Sequence, residues 1–196
     1  VVDSANATGG IVGPQLYKDL GCEVIELFSE PDGTFPNHHP NPSVLSTLET
    51  LSKTVVENNA DLGIAYDGDS DRIGVVDSKG QPLTGDKLLL IYAMDIIDQH
   101  PTVVSEVKCS QVLFDTINNA GGNAIMCKTG HGYIKEKMKE THAILGGEMS
   151  GHTFFKDRYY GFDDAIYAGC RMIEIVAKNK KQNPNFKLEN MLEPFN

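Results

Sequence analysis

Residues 60–66, Ala-Asp-Leu-Gly-Ile-Ala-Tyr, run without interruption into residues 67–72, Asp-Gly-Asp-Ser-Asp-Arg. The first half is a short apolar run of strand length; the second is too acidic and too glycine-broken to continue it. Asp67, Asp69 and Asp71 bring three carboxylates into five residues. Such charges repel by about 1 kcal/mol per pair at ~4 Å in water, and by more when partly buried. Gly68 lets the backbone bend so that the side chains converge. A divalent cation turns the repulsion into attraction, and an all-oxygen donor set favours Mg2+ over Zn2+. Mg2+ keeps room for a phosphoryl oxygen, and Arg72 stands where a guanidinium can pair with that phosphate.

Other readings of the loop differ in how well they fit. An EF-hand needs Gly at its sixth position and Glu at its twelfth, where this chain has Arg72 and Ser78, so that reading fails. A haloacid-dehalogenase-type phosphatase also places Asp-x-Asp after an apolar strand, with Asp67 as nucleophile. A solvated acidic turn leaves both Gly68 and the adjoining Arg72 unexplained.

Outward from this stretch, strands and helices alternate. Residues 1–2 end a strand, 14–20 form a helix stopped by Gly21, and 23–28 form a strand. A Pro/Asn/His loop over 29–42 leads to a helix over 43–58, and further strands are expected at 60–66 and 73–76. Thr84 reads as the N-cap of a helix over 86–98. Strands at 103–107, 123–127 and 143–147 then alternate with helices at 111–120 and 133–140. Residues 152–155 form a short strand, and Asp163-Asp164 open a helix running to about residue 178. The fold class is α/β: two consecutive small domains with mixed sheets covered by helices, over residues 1–83 and 84–182. Residues 183–196, polar and punctuated by Pro184 and Pro194, read as a linker toward a further domain. The start at Val1, already inside a strand, carries the matching expectation of an excised piece.

Composition excludes several classes. Seventeen basic against 27 acidic side chains give a net charge of −10, the wrong sign for a general nucleic-acid binder. No apolar run approaches the roughly 20 residues that span a bilayer, so no membrane role is expected. The four cysteines are scattered without a Cys-x-x-Cys pair, which fits small buried apolar residues in a reducing cytoplasm.

The second chemical feature is Gly146-Gly147-Glu148-Met149-Ser150-Gly151-His152. In extended backbone Glu148, Ser150 and His152 point the same way, a carboxylate and a hydroxyl suited to sugar hydroxyls between glycines that admit a ligand. A nucleophile elbow, Gly-x-Ser-x-Gly, does not fit, because Glu148 and His152 occupy the glycine positions. Lys108 follows the strand Val-Val-Ser-Glu-Val, and His131 lies in Lys128-Thr129-Gly130-His131-Gly132 before a helix. Ligands gather at such strand ends, and helix N-termini offer amides to anions, so both are placed to meet a phosphate. Residues 9–13, Gly-Gly-Ile-Val-Gly, lack the leading glycine of a dinucleotide fingerprint. His38 and His39 read as solvent-facing loop residues outside the site.

DGDSDR, EVKCS, KTGHGYIK and GEMSGH, in this order and spacing, resemble the α-D-phosphohexomutases, and the GEMSGH form resembles their bacterial phosphomannomutase/phosphoglucomutase branch. FPNHHPNP and FFKDRYYGFDDAIYAG are similar to the same branch. The resemblance implies the second and third domains of a four-domain enzyme. Such an enzyme moves a phosphoryl group between the 6- and 1-hydroxyls of mannose or glucose through a bisphosphorylated sugar. It also implies Mg2+ on Asp67, Asp69 and Asp71, with Arg72 beside it, and sugar contacts from Glu148 and Ser150. His152 falls near the reacting centre, and Lys108 and His131 supply the remaining contacts. The chain departs from the family by carrying Asn-His-His-Pro where a Ser-His-Asn-Pro-like phosphoserine loop is needed, and by lacking the fourth-domain loop that grips the far phosphate. No turnover is expected from these residues alone.

Overall fold

The computed structural model describes residues 1–195. The acidic loop sits between two antiparallel strands, β3 (Gly63–Tyr66) and β4 (Ile73–Val76), both wholly buried. They belong to a five-stranded sheet in the order β2-β1-β3-β4-β5, with β1 (Val2–Asp3), β2 (Glu26–Leu27) and β5 (Pro82–Leu83). β1 runs parallel to both β2 and β3, and β5 is antiparallel to β4. A second sheet, β7-β6-β8-β9, is built from β6 (Thr102–Glu106), β7 (Asn123–Cys127), β8 (Leu145–Gly147) and β9 (Thr153–Phe155). β6 is parallel to β7 and β8, and only β8–β9 is antiparallel.

Period-two alternation sorts the core. Along β3, Ala65 faces Leu48, Leu51 and Val55, while Ile64 and Tyr66 face the opposite side. The first side is closed by α2 (Glu49–Glu57) and the other by α6 (Ala165–Gln182). In the second sheet Val104 and Phe154 pack on Ile134 and Met138 of α5 (His131–Thr141). Val103, Leu145 and Phe155 face the side of α3 (Gly85–Asp95) and α4 (Gln111–Asn119). Each buried Leu, Ile or Phe contributes roughly 1.5–3 kcal/mol.

α6 follows the second sheet in the chain yet packs against β3 and β4 of the first, so one apolar cluster runs through both halves. A buried polar thread reinforces the joint. Tyr66 Oη donates to Tyr17 Oη at 2.6 Å, and Tyr17, on α1 (Gly13–Asp19), donates to the Ile166 carbonyl at 3.0 Å.

Several elements differ from expectation. Only Glu26–Leu27 of the 23–28 stretch pairs as a strand. The helix expected over 43–58 opens as a 3-10 turn, Leu45–Leu48. There Asn41 Oδ1 accepts from the Ser43 amide, and Thr47 Oγ1 donates to the Asn41 and Val44 carbonyls, local bonds that compete with an α start. The helix expected over 86–98 loses its α form after Asp95, becoming a 3-10 turn at Ile97–Gln99. Thr84 stands at the N-cap of α3, but its hydroxyl goes to Asp86 Oδ1 instead of capping an amide. Asp164 alone caps α6, accepting from the Tyr167 amide at 2.9 Å. Within the described part of residues 183–196, expected as a linker, Phe186, Leu188 and Leu192 are buried and join the core beside α3 and α4, while 183–185, 187 and 190 stay exposed, because three apolar anchors suffice to dock a polar segment. Among the described residues no helix is long and apolar enough to cross a membrane.

Gly169 tests the joint between the halves. A Cβ there would overlap the Tyr17 hydroxyl. Glycine to alanine inside a helix ordinarily gains about 1 kcal/mol, but overpacking costs about 1–3 kcal/mol and the displaced tyrosine strands buried hydroxyls for a similar amount. Gly169→Ala is therefore expected to lower stability by about 2 kcal/mol in urea unfolding.

Candidate active site

The acidic loop closes on itself before it meets anything else. The Asp67 amide donates to the Arg72 carbonyl at 3.2 Å, and Ser70, at φ +63°, turns the chain back. Asp67 is buried; its Oδ1 accepts from the Asp71 and Arg72 amides, each at 3.1 Å. Carboxylate oxygens of Asp67, Asp69 and Asp71, one from each, lie within 4.8 Å of one another and could hold a metal ion. Arg72 Nε donates to Asp67 Oδ2 at 2.7 Å, and its Nη1 donates to Asn41 Oδ1 at 3.2 Å. The guanidinium is thus anchored on the loop that it serves.

Backbone pairing then joins the two halves here. Arg72 and His152 form an antiparallel bridge, the Ile73 amide donates to the Gly151 carbonyl at 3.2 Å, and the Ala165 amide donates to the Ser70 carbonyl at 2.9 Å. Two glycines make this approach possible. A Cβ at Gly151, φ +101°, would overlap the Ile73 carbonyl, and one at Gly85 would overlap that of Glu148.

Residues 148–151 are not the extended strip expected. The Glu148 amide donates to the His152 carbonyl at 3.0 Å and the Gly151 amide to the Glu148 carbonyl at 3.1 Å, closing a tight turn between β8 and β9. The positive φ of Gly151 allows that closure, so Glu148, Ser150 and His152 are displayed from a turn and not along one strand edge. Glu148 is buried, and its Oε1 accepts from the Gly130 amide at 2.7 Å, just before α5. That amide, expected to await an anion, already holds a carboxylate. Ser150 is half-buried in the turn.

His152 links the features. Its Nδ1 lies 2.9 Å from Asp163 Oδ2 and 3.7 Å from Asp71 Oδ1. Its ring stacks on Phe154 and lies 5.7 Å from the ring of His131. Burial alone would lower its pKa, but contact with Asp163 and the charges of Asp71, Asp163 and Glu148 outweigh burial and raise it. Burial likewise pushes Asp163 up, yet His152 and Lys135 prevail and hold it at about 2. Asp71 goes the other way: burial first, then repulsion from Asp67 and Asp69, raise it to about 6 against the pull of His152. Lys108 is exposed at the rim, its Nζ 3.6 Å from Glu106 Oε2.

The fold thus brings Asp67, Asp69, Asp71, Arg72, His131 and His152 into one run of contacts, and Glu148 reaches the same α5 terminus as His131. Asn41, Glu106 and Asp163 were missed. Asp163 read as a helix cap, and nothing in the spacing of Asn41 signals its hold on Arg72. His38, expected to face solvent, instead lays Nε2 3.0 Å from the buried Asp3 carboxylate and its ring edge on Phe28, bracing the loop that carries Asn41. A cavity of about 540 Å3 beside β1, β3 and α6, lined by Tyr17, Cys22 and Ile173 among others, includes none of these site residues.

The electrostatics carry a stability consequence. The folded state raises the Asp71 pKa, so it disfavours the ionised carboxylate; this cost is present in full above about 6, shrinks as pH falls below about 6, and is gone below the ordinary value of 3.8. Asp71→Asn removes the charge at neutral pH. Without divalent metal it is expected to raise Tm by about 1–2 °C by calorimetry, water screening the effect at this partly exposed group.

Comparison with known proteins agrees with the two-domain α/β fold. Residues 1–80 match the family model described as phosphoglucomutase/phosphomannomutase, alpha/beta/alpha domain II, and residues 84–194 match domain III. A phosphomannomutase/phosphoglucomutase of Pseudomonas putida is 49% identical over 187 residues, 94% of this chain and 40% of that protein. A phosphoglucomutase of Neisseria gonorrhoeae is 46% identical over 192 residues, 97% of this chain and 41% of that protein. A crystal structure of a Burkholderia thailandensis phosphoglucomutase/phosphomannomutase family protein superposes with a TM-score of 0.87 at 44% identity, covering 90% of this chain and 39% of that one. The chain spans about 40% of the length of the curated relatives that it matches. With matches to two successive domain models, the chain belongs to the phosphoglucomutase/phosphomannomutase family, the α-D-phosphohexomutases.

Proposed function

We propose that this chain forms the metal- and sugar-holding middle of a phosphohexomutase. The reaction is the interconversion of hexose 6-phosphate and hexose 1-phosphate, with mannose or glucose as the hexose, by intramolecular phosphoryl transfer through a bisphosphorylated sugar. The observation that carries this reading is the backbone bridge from Arg72 to His152, which sets the acidic loop against the turn holding Glu148 and Ser150. The donor set suits Mg2+: three carboxylates with oxygens inside 4.8 Å, no sulfur among them, and one whose pKa is raised by burial and then by its two like-charged neighbours. Asp67, Asp69 and Asp71 would hold the ion, and its chemistry when bound is to neutralise charge on the transferring phosphoryl oxygens.

The remaining work falls to side chains. Arg72, held through Nε and Nη1, keeps the rest of its fork to pair with a phosphate without having to be ordered on binding. Glu148 keeps Oε2 for a sugar hydroxyl while Oε1 stays on Gly130, and Ser150 supplies a hydroxyl that both donates and accepts. His152 turns Nδ1 to Asp163, which leaves Nε2 as the nitrogen able to exchange a proton with a sugar hydroxyl. Lys108 and His131 add positive and polar contacts at the rim.

The haloacid-dehalogenase alternative asks Asp67 to attack phosphorus. Its Oδ1 holds two amides and its Oδ2 holds Arg72, which suits a fixed ligand better than a nucleophile. Release of free phosphate from hexose phosphates, lost in Asp67→Asn, would favour that alternative.

In the longer protein, Asp69→Asn removes one of three charges from the loop. It is expected to weaken Mg2+ binding at least tenfold and to lower kcat about 100-fold, by Mg2+ titration of steady-state mutase rates. Unchanged Mg2+ affinity would count against the loop as the ligand set. Residues 1–196 alone, with no Ser-His-Asn-Pro-like loop, are expected to give no mutase turnover in the same assay.

A further inference from the structure

Glu106 ends β6 fully buried, and its Oε2 is enclosed with no hydrogen-bond partner. Its other oxygen, Oε1, accepts from the Met149 amide at 2.9 Å, inside the turn that displays Glu148 and Ser150. Next to it Ser105 Oγ donates to the Gly147 carbonyl at 2.9 Å, so the end of β6 grips that turn at its root and at its crest. Support of the turn alone does not explain the charge. A neutral amide oxygen would accept from Met149 equally well, and a carboxylate sealed from water is costly unless a cation answers it. Among the described residues the cation at ion-pair distance from Glu106 is Lys108, its Nζ 3.6 Å from Oε2 and its side chain 58% exposed.

We propose that Glu106 is a positioning residue that sets Lys108 against the sugar-holding turn. An exposed lysine carries a long flexible stem and three donors. Drawn from below by the charge on Oε2, at 3.6 Å and with no hydrogen bond, it presents its donors at the rim with less freedom to lose. The same carboxylate fixes the height of the turn through Met149. Phosphate-facing ammonium and sugar-facing carboxylate are therefore held at one spacing, suited to a single phosphorylated hexose. This rests on the reading that Lys108 and Glu148 meet such a ligand.

A double-mutant cycle in the longer protein tests it, with mannose 1-phosphate as substrate and Tm as a control for folding. Glu106→Gln keeps an acceptor for Met149 but gives up the anchor. It is expected to raise KM about tenfold with kcat within about twofold. In a Lys108→Met background the same change is expected to move KM by less than about twofold, because the group through which it acts is gone. An equal rise of KM in both backgrounds would mean plain structural support and overturn the inference. So would an unchanged KM for Glu106→Gln beside a raised KM for Lys108→Met. A Lys108→Met protein with unchanged KM would overturn it too, and would place the fault in the reading of Lys108 as a ligand contact. Should Glu106→Gln not fold, the cycle is run with Glu106→Asp, which keeps the charge but shortens its reach, with the same cancellation expected.

Discussion

Arg72 and His152 face each other across an antiparallel backbone pairing, and the chemistry of the molecule depends on that juxtaposition. The pairing sets two polar features together: the loop that gathers the oxygens of Asp67, Asp69 and Asp71, and the turn that displays Glu148, Ser150 and His152. The pairing requires backbones to touch where any ordinary side chain would intervene. Gly151 and Gly85 supply the room, one against the Ile73 carbonyl and one against that of Glu148. The hydrogen bond from the Ala165 amide to the Ser70 carbonyl fastens the acidic loop to the start of α6 as well.

Electrostatic tension is spread unevenly over this seam. Asp163 is relieved by His152 and Lys135 and sits low, whereas Asp71 is raised by burial first and then by two like-charged neighbours, and sits high. The imidazole between them faces both carboxylates. Three carboxylates share one bend there, with the tethered guanidinium of Arg72 beside them.

Much of this was legible in residues alone. The short apolar runs of β3 and β4, the helical spacing of Leu51 and Val55 and the acidic run after Tyr66 carry enough local signal to give the layers and the place of the acidic loop. What escaped depends on partners far away in sequence. Asp163 has the local pattern of a helix cap, and only its meeting with His152 gives it another task. Asn41 gains its role from Arg72, 31 residues on. His38 looked like a loop residue until the fold laid it on Asp3. The extended strip expected at 148–152 failed because alternation of polar residues also suits a glycine-closed turn, and only the positive φ of Gly151 separates the two. Phe186, Leu188 and Leu192 were hidden among polar neighbours, since composition averages away three anchors that a core requires.

α6 crosses from the second sheet to cover the first, with Tyr17 and Tyr66 threaded beneath it. The division that the two family models draw between residues 80 and 84 is thus a division of sequence and not a mechanical joint. Pulling the halves apart would tear open a shared apolar interior. Through that shared interior the two halves hold together as a single block.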